Sequence, residues 1–248
     1  PFPHPEVLSA LPWHVELVRV LMAYDLLGFQ TRRDRRNFHD FVEREAGGTI
    51  SEDGTVSAFG RVARTGVYPI GIDVDHWTAM VDSEEFREAA ETVDTYFHGR
   101  SAIVGVDRLD YTKGLTERFR AYEKLLERHP DYRRTTCFLQ VAAPTRERVA
   151  RYREMREELE RITGHVNGRF GDLDWTPVRY LNRTFSQTQL GAFYHLSRVG
   201  MVTPLKDGMN LVAKEYVAAQ RPEDPGVLVL SRFAGAAEQL DEAIMVNP

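Results

Sequence analysis

From residue 100 onward, short apolar runs alternate with amphipathic stretches, and this alternation constrains the fold more than any other feature. Strands that alternate with helices in this way are typical of a doubly wound parallel sheet. In such sheets, ligands bind beyond the carboxyl ends of the strands. The apolar runs predict strands at 101–106, 135–142, 178–181, 198–202, 226–231 and 243–246, and helical spacing predicts helices at 115–128, 146–162, 186–196 and from 211 onward.

The first hundred residues are less regular. We expect the proline-rich segment 1–12 to be extended or turning, because proline fixes φ and lacks an N–H group. Residues 73–82 show no clear periodicity, so we interpret them as a connector between two lobes. The remaining patterns predict helices at 13–24, 31–45 and 83–97, a buried strand at 25–30 and further strands at 55–67.

The composition narrows the classes of function. A net charge of −5 argues against nucleic acid or an anionic membrane as the main partner. The single cysteine, Cys137, excludes an internal disulfide and fits a reducing, cytoplasmic location. No apolar run approaches the ~20 residues of a membrane span, and the eight histidines show no metal-ligand spacing. Because the chain starts at Pro1 without an initiator Met and stops at Pro248, we expect it to be truncated at both ends.

The segment 203–215 follows an apolar strand and opens a helix. That layout presents free backbone N–H groups and the positive end of a helix dipole to a cleft. Gly208 lets the backbone approach a ligand closely, while Asp207 and Glu215 stand eight residues apart. Two carboxylates so placed can hold two hydroxyl clusters of one elongated ligand, with a phosphate between them. The alternative is that Asp207 only caps the helix and Glu215 is an exposed helix residue.

A second loop, 106–114, also connects a strand to a helix. It carries Arg108 and Lys113, a planar fork of donors and a mobile point charge, which together suit a diphosphate. The alternative is a pair of surface cations neutralised by Asp107 and Asp110. Their position at the carboxyl end of a strand favours the diphosphate.

Two further stretches lie at the same edge of the predicted sheet. Thr145 is expected to cap the following helix, and Arg146 in its first turn opposes the helix dipole, which an anion facing that helix end would offset. Phe185 and Leu190 offer apolar surface on which a base could rest, although such residues are more often part of a core.

Five stretches of this sequence together resemble the trehalose-6-phosphate synthases, the retaining GT-B glycosyltransferases of family 20. The resemblance runs along nearly the whole chain. It implies two Rossmann-like domains and transfer of glucose from a nucleotide-glucose, commonly UDP-glucose, to glucose 6-phosphate with retention and without a metal or other cofactor. The stretches are DLLGFQT at 25–31, YPIGID at 68–73, DRLDYTKG at 107–114, GDLDWTP at 171–177 and DGMNLVAKE at 207–215.

The resemblance also implies roles for individual residues. Arg108 and Lys113 would hold the donor diphosphate, Asp207 would hold glucose hydroxyls, and these three would be the catalytic residues. Glu215 would bind the ribose and Arg146 the phosphate of the acceptor. The remaining donor contacts would be the backbone of Gly208, Met209 and Asn210, the amides of Leu211 and Val212, and a uracil pocket lined by Val141, Phe185 and Leu190.

By this resemblance, residues 1–72 are the remnant of an acceptor lobe, 73–98 are a connector with a helix, and 99–248 are the donor lobe. We expect such a chain to bind nucleotide-sugar weakly and not to turn over alone; formation of trehalose 6-phosphate by it would contradict this. Two alternatives stay open: a related glycosyltransferase with another acceptor, such as glycerol 3-phosphate, and a catalytically silent domain of the same fold. The nucleotide (UDP, GDP or ADP) and a homo-oligomeric state stay open as well.

Overall fold

The computed structural model describes residues 1–145 and 149–248, and the chain forms two compact units, 1–70 and 71–248. Both units combine helices with a β-sheet, which agrees with the predicted α/β class. No helix in these two described stretches is both long and apolar enough to cross a membrane.

The first unit contains a mixed four-stranded sheet in the order β1-β4-β3-β2, in which only the β1–β4 pair is parallel. Three helices accompany it. Its elements are α1 (Pro5–Leu8), α2 (His14–Leu21), β1 (Leu26–Phe29), α3 (Arg32–Glu45), β2 (Thr49–Ile50), β3 (Thr55–Ala58) and β4 (Arg61–Val67).

Helix α3 forms where the sequence predicts it. The Thr31 hydroxyl accepts a hydrogen bond from the backbone N–H of Asp34 at 3.0 Å, which caps the first turn. Phe38, Phe41 and Val42 are fully buried and form the centre of this unit's core.

Two expectations for the first unit are wrong. The segment 1–12 contains the single-turn helix α1, because Pro5 stands at its first position, where the missing N–H costs nothing. Strand β1 is not buried throughout: Leu27 is buried but Leu26 is exposed, since β1 pairs with β4 alone within the described chain.

The second unit contains a six-stranded, fully parallel sheet in the order β10-β9-β8-β5-β6-β7. Its strands are β5 (Ser101–Arg108), β6 (Thr136–Ala143), β7 (Val178–Leu181), β8 (Val199–Val202), β9 (Val227–Ser231) and β10 (Ile244–Val246). Its helices are α4 (Val74–Val81), α5 (Glu84–Phe97), α6 (Leu115–Arg128), α7 (Ala150–Phe170), α8 (Gln187–Leu196) and α9 (Leu211–Ala218).

The sheet of the second unit is buried on both faces, as expected for a doubly wound fold. Alternate residues of β5 and β6 enter two different hydrophobic clusters, because successive side chains of a strand point to opposite faces. Val104 and Leu139 lie in the cluster with α4, α5, α8 and α9, whereas Ile103 and Phe138 lie in the cluster with α6 and α7. The cysteine, Cys137, is buried in the first of these clusters, and burial raises the pKa of its thiol to about 11.

The strand order creates a switch point in the middle of this sheet. Strands β5, β6 and β7 follow one another in one direction, and β8 then returns to the opposite side of β5. In open parallel sheets, the crevice at the carboxyl ends of the two strands that flank such a point is where ligands bind. The loops after β5 and β8 therefore lie at the place where the topology itself predicts a site.

Two helices differ from the prediction. Residues 74–81 form α4, whose buried Trp77 and Met80 are its only two deeply buried positions, too few to produce a recognisable period. Helix α7 begins at Ala150 with Val149 at its N-cap and runs to Phe170, so Thr145 does not cap it. Helical spacing from Tyr152 predicts that Val149 faces inward, but Val149 is exposed.

Candidate functional site

Two loops meet at the switch point between β5 and β8. We call residues 109–114, which follow β5, loop A, and residues 203–210, which follow β8, loop B. The backbone carbonyl of Thr112 in loop A accepts hydrogen bonds from the N–H groups of Leu205 at 2.8 Å and Lys206 at 3.2 Å in loop B. The loops are thus joined through their backbones, before any side chain is considered.

Gly114 explains how closely the loops approach. Its φ of 64° lies in the left-handed region, and a Cβ atom at this position would stand 2.6 Å from the carbonyl oxygen of Thr203. Glycine therefore meets two requirements here, one of backbone conformation and one of space.

The side chains of Lys113 and Asp207 form an ion pair across the two loops. Lys113 Nζ lies 2.6 Å from Asp207 Oδ2, and the two side chains are only 14% and 17% exposed. Asp207 Oδ2 also accepts a hydrogen bond from Asn210 Nδ2 at 2.9 Å. Two residues that the sequence assigned to one site, 94 positions apart, are brought into direct contact.

Asn210, rather than Asp207, caps helix α9. Asn210 adopts a left-handed conformation with φ of 74°, and its side-chain oxygen accepts the N–H of Ala213 at 3.4 Å. The N–H groups of Leu211 and Val212 belong to the first helical turn, where no intrahelical acceptor exists. Together with the dipole of α9, they form an electropositive end beside Asp207.

Arg108 is the last residue of β5 and is exposed. No hydrogen bond or ion pair holds its guanidinium within residues 1–145 and 149–248. Asp110 instead binds the backbone N–H and hydroxyl of Thr112, each at 2.8 Å. Burial raises the pKa of Asp110, but these bonds and the charges of Lys113 and Arg108 outweigh it and lower the pKa. The alternative in which Asp107 and Asp110 pair with these two cations is therefore not what the structure contains.

Glu215 is half-buried on α9, not an exposed helix residue. Its spacing of eight residues from Asp207 predicts a position about two turns into the helix. Because α9 begins at Leu211, Glu215 instead lies roughly 6 Å along the helix. Its Oε2 accepts a hydrogen bond from the hydroxyl of Tyr194 at 3.3 Å. Burial raises the pKa of the Glu215 carboxyl above its ordinary value of 4.5, and the bond from Tyr194 opposes the shift.

This shift predicts a pH dependence of stability. A raised pKa in the folded state means that the folded protein binds the proton more tightly, so the stability that Glu215 contributes is present at low pH. That contribution is lost as the pH rises from 4.5 through the folded pKa. We therefore compare the free energies of unfolding of the wild type and of Glu215→Gln. The wild-type value minus the variant value should fall as the pH rises through this range, and then level off.

Denaturant titrations at a series of pH values measure this difference. Glu117→Gln, which removes an exposed carboxylate from α6, is the matched control. If the difference in the free energy of unfolding between the wild type and Glu215→Gln does not change with pH, burial does not raise the pKa of Glu215.

The residues expected to line a base pocket lie near one another on the α5 and α8 side of the sheet. Val141 is buried in that cluster, and Phe185 and Leu190 pack against it. Phe185 contacts the Phe193 ring edge-to-face at 5.1 Å, and the guanidinium carbon of Arg183 lies 4.5 Å from its ring centre. A base that stacks on Phe185 must therefore use the remaining face or displace Arg183.

A cavity of about 180 Å³ lies beside Phe185. It is mainly apolar and opens between α5, α8 and the carboxyl end of β7. Its lining includes Leu139, Leu181, Phe185, Gln189 and Phe193.

The binding roles predicted for several residues stay predictions. Arg146, assigned to the acceptor phosphate, lies outside the described residues. Met209 is buried and its carbonyl accepts the N–H of Ala236, while Gly208 is half-buried between Asp207 and Met209. No group of three or more His, Cys, Asp or Glu side chains suited to a metal ion occurs among the residues described.

A buried polar cluster that the sequence did not predict lies beneath loops A and B. Arg118 on α6 bonds to Asp107, Gln140 and Thr203, all of which are buried. A signal was present: Arg118 falls at helical spacing on the apolar face that Leu115 and Tyr122 define. Asp107 and Gln140 likewise interrupt apolar strands. Tyr194, the partner of Glu215, was missed because nothing local marks a buried tyrosine as a hydrogen-bond donor.

Comparison with known proteins adds three findings. The family model described as Glycosyltransferase family 20 matches residues 1–248. A trehalose-6-phosphate synthase of Klebsiella pneumoniae subsp. pneumoniae is 48% identical over 248 residues, which are 100% of this chain and 52% of that protein. The chain thus spans about half the length of the curated relatives it matches.

Two solved structures are similar to this chain along its whole length. An alpha,alpha-trehalose-phosphate synthase (UDP-forming) from Burkholderia xenovorans in complex with glucose-6-phosphate is 51% identical, with a TM-score of 0.97 over 100% of this chain and 55% of that one. A structure from E. coli bound with UDP-2-fluoro glucose is 46% identical, with a TM-score of 0.95 over 100% of this chain and 55% of that one.

Proposed function

The chain belongs to glycosyltransferase family 20, and on that premise we propose that it carries the nucleotide-sugar site of a retaining, GT-B-type glycosyltransferase. The enzyme moves glucose from UDP-glucose to glucose 6-phosphate and so forms trehalose 6-phosphate. The observation that carries this proposal is the Lys113–Asp207 pair at the switch point of the sheet, beside the N-terminus of α9. A cation, a carboxylate and free helix N–H groups in one place are what a sugar diphosphate requires.

The proposed roles follow from charge. Bond breaking at the anomeric carbon develops negative charge on the leaving diphosphate and positive charge on the sugar. Arg108 and Lys113, with the first amides of α9, provide fixed counter-charges for the diphosphate. In this proposal these groups stabilise the leaving group without a metal ion or other cofactor.

The ion pair of Lys113 and Asp207 is compatible with donor binding. An ammonium group has three donors, so Lys113 can donate one hydrogen bond to Asp207 and others to phosphate oxygens. Asp207 Oδ2 already accepts from Lys113 and Asn210, which leaves Oδ1 for a sugar hydroxyl. The pair therefore aligns the diphosphate and the glucose relative to each other.

Glu215 is proposed to bind the ribose hydroxyls. It lies on α9, one turn beyond the amides of Leu211 and Val212, and Tyr194 fixes one of its oxygens. The uracil ring would rest near Phe185, with Val141 and Leu190 beside it. Support for UDP comes from the E. coli relative bound with UDP-2-fluoro glucose, and support for the acceptor comes from the Burkholderia xenovorans complex with glucose-6-phosphate.

The proposal assigns the phosphate of the acceptor to Arg146 and the donor contacts to residues 99–248. A cytoplasmic location and a homo-oligomeric state stay predictions. The buried, protonated thiol of Cys137 is compatible with a reducing compartment.

Calorimetric titration with UDP tests the proposal, after circular dichroism shows that the variants are folded. We expect saturable binding that weakens by about 1–3 kcal/mol in Lys113→Ala, the cost of losing a charged hydrogen bond. Lys124→Ala, an exposed lysine on α6, is the control and should bind as the wild type does. A folded chain that binds neither UDP nor UDP-glucose, or a Lys113→Ala variant with unchanged affinity, would contradict the proposal.

Parallel titrations with GDP measure the nucleotide preference. Product analysis with glucose 6-phosphate and with glycerol 3-phosphate as acceptors then identifies the reaction of the full-length protein.

A further inference from the structure

We infer that Arg118 is a positioning residue: its buried guanidinium holds loops A and B in the arrangement in which Lys113 and Asp207 meet the donor. This inference rests on the proposed function, because it concerns the diphosphate-binding geometry of that site. Arg118 lies outside the five stretches that resemble the family, and it contacts the site only through loops A and B.

The contacts of Arg118 reach four different segments. Its Nη1 donates to Asp107 Oδ2 at 2.6 Å and to Gln140 Oε1 at 2.9 Å, on neighbouring strands β5 and β6. Its Nε donates to the hydroxyl of Thr203 at 3.1 Å, and its Nη2 donates to the carbonyl oxygen of Lys113 at 3.3 Å. The planar fork of a guanidinium is the one side-chain group that can bind all four in fixed directions.

Two of these contacts fall on the loops that carry the site. Thr203 is the first residue of loop B, four positions before Asp207, and Lys113 is itself the cation of the proposed site. Arg118 therefore holds the backbone of Lys113 directly, and through the Thr203 hydroxyl it holds the start of the loop that carries Asp207. A shift of either loop would move Lys113 Nζ relative to Asp207, and displacements of about 1 Å can cost ~10²-fold in catalysis.

The cluster is built for position rather than for stability alone. The Arg118 side chain is 0% exposed, and a buried ion pair often contributes no more to stability than well-packed apolar side chains would. The strand also makes room for it: a Cβ atom at Gly105 would stand 2.5 Å from Arg118 Nη1. Because Asp107 neutralises Arg118 at 2.6 Å, the guanidinium acts through the loops and not as a direct counter-charge for the ligand.

Comparing the affinities of UDP and uridine tests this role. Uridine lacks the diphosphate, so misplacement of loops A and B should affect it little. We expect Arg118→Met to weaken UDP binding by about ten- to a hundredfold while uridine affinity changes by less than about twofold. Arg120→Met is the matched control, because Arg120 lies on the same helix with an exposed side chain, and it should bind both ligands as the wild type does.

A second variant keeps the test decisive if Arg118→Met fails to fold. Thr203→Val removes only the hydroxyl that accepts from Arg118 Nε and preserves the shape of the side chain. It should weaken UDP more than uridine, by a smaller factor than Arg118→Met. The inference would be overturned if the folded variants bound UDP as tightly as the wild type does. It would also be overturned if they lost affinity for UDP and for uridine by the same factor. Failure of the wild type itself to bind UDP would instead overturn the proposed function.

Discussion

Replacing Arg108 by alanine should lower the rate of trehalose 6-phosphate formation by the full-length protein by about 10²–10³-fold. That is the magnitude seen when one fixed group that stabilises developing charge is removed. The effect should appear mainly in kcat, because the charge of the leaving diphosphate is greatest in the transition state.

Arg108 is a clean probe because the fold does not use its side chain. The residue is exposed, and in the described part of the chain its guanidinium makes no hydrogen bond or ion pair. We therefore expect the free energy of unfolding of Arg108→Ala to stay within about 0.5 kcal/mol of the wild type. Loss of activity without loss of stability would place Arg108 in the chemistry.

Arg128→Ala provides the control, since Arg128 is an exposed arginine in the last turn of α6. Steady-state rates with UDP-glucose and glucose 6-phosphate, beside denaturant titrations, give both quantities. If the wild type is active and Arg108→Ala is nearly as active, the role assigned to Arg108 is wrong. Absence of turnover in a full-length wild type that binds UDP would favour the alternative of a catalytically silent domain.

Replacing Gly114 by alanine is expected to destabilise the protein by more than its backbone conformation alone explains. A non-glycine residue in the left-handed region costs about 1–2 kcal/mol. At Gly114 the new Cβ would also stand 2.6 Å from the carbonyl oxygen of Thr203, so loops A and B must separate. We expect a total loss of about 3 kcal/mol or more, because strain and overpacking add, together with weaker binding of UDP.

Gly99→Ala separates the two contributions. Gly99 has a similar φ of 70°, but a Cβ atom there would meet nothing within 4 Å. Denaturant titration of both variants should show a larger loss for Gly114→Ala, and UDP affinity should fall in that variant alone. Equal losses of stability and equal UDP affinities would show that the contact with Thr203 is unimportant.

The sequence predicted the building blocks of the second unit well because their signals are local. The apolar period of α6 identified its buried face, and the continuous apolar runs of β5 and β6 identified strands buried on both sides. Helix α4 was missed for the same reason: only Trp77 and Met80 anchor it deeply, so no period develops. The start of α7 was misplaced because Thr145 has the chemistry of an N-cap, whereas the helix begins five residues later.

The site was predictable in its residues but not in its contacts. The loops after two predicted strands pointed to Arg108, Lys113 and Asp207, since parallel strands end at one edge of a sheet. The contacts that these residues make could not be predicted from the sequence. Lys113 could equally have paired with Asp107 or Asp110, which are nearer in sequence than Asp207.

The sequence alone thus determined the α/β class, most helices and strands, and the family, because periodicity and motifs are properties of neighbouring residues. Only the tertiary structure decided that β8 lies next to β5, and with it the Lys113–Asp207 pair, the Tyr194–Glu215 bond and the four contacts of Arg118. The physical reason is that these contacts depend on strand order, which long-range packing sets and no local pattern encodes.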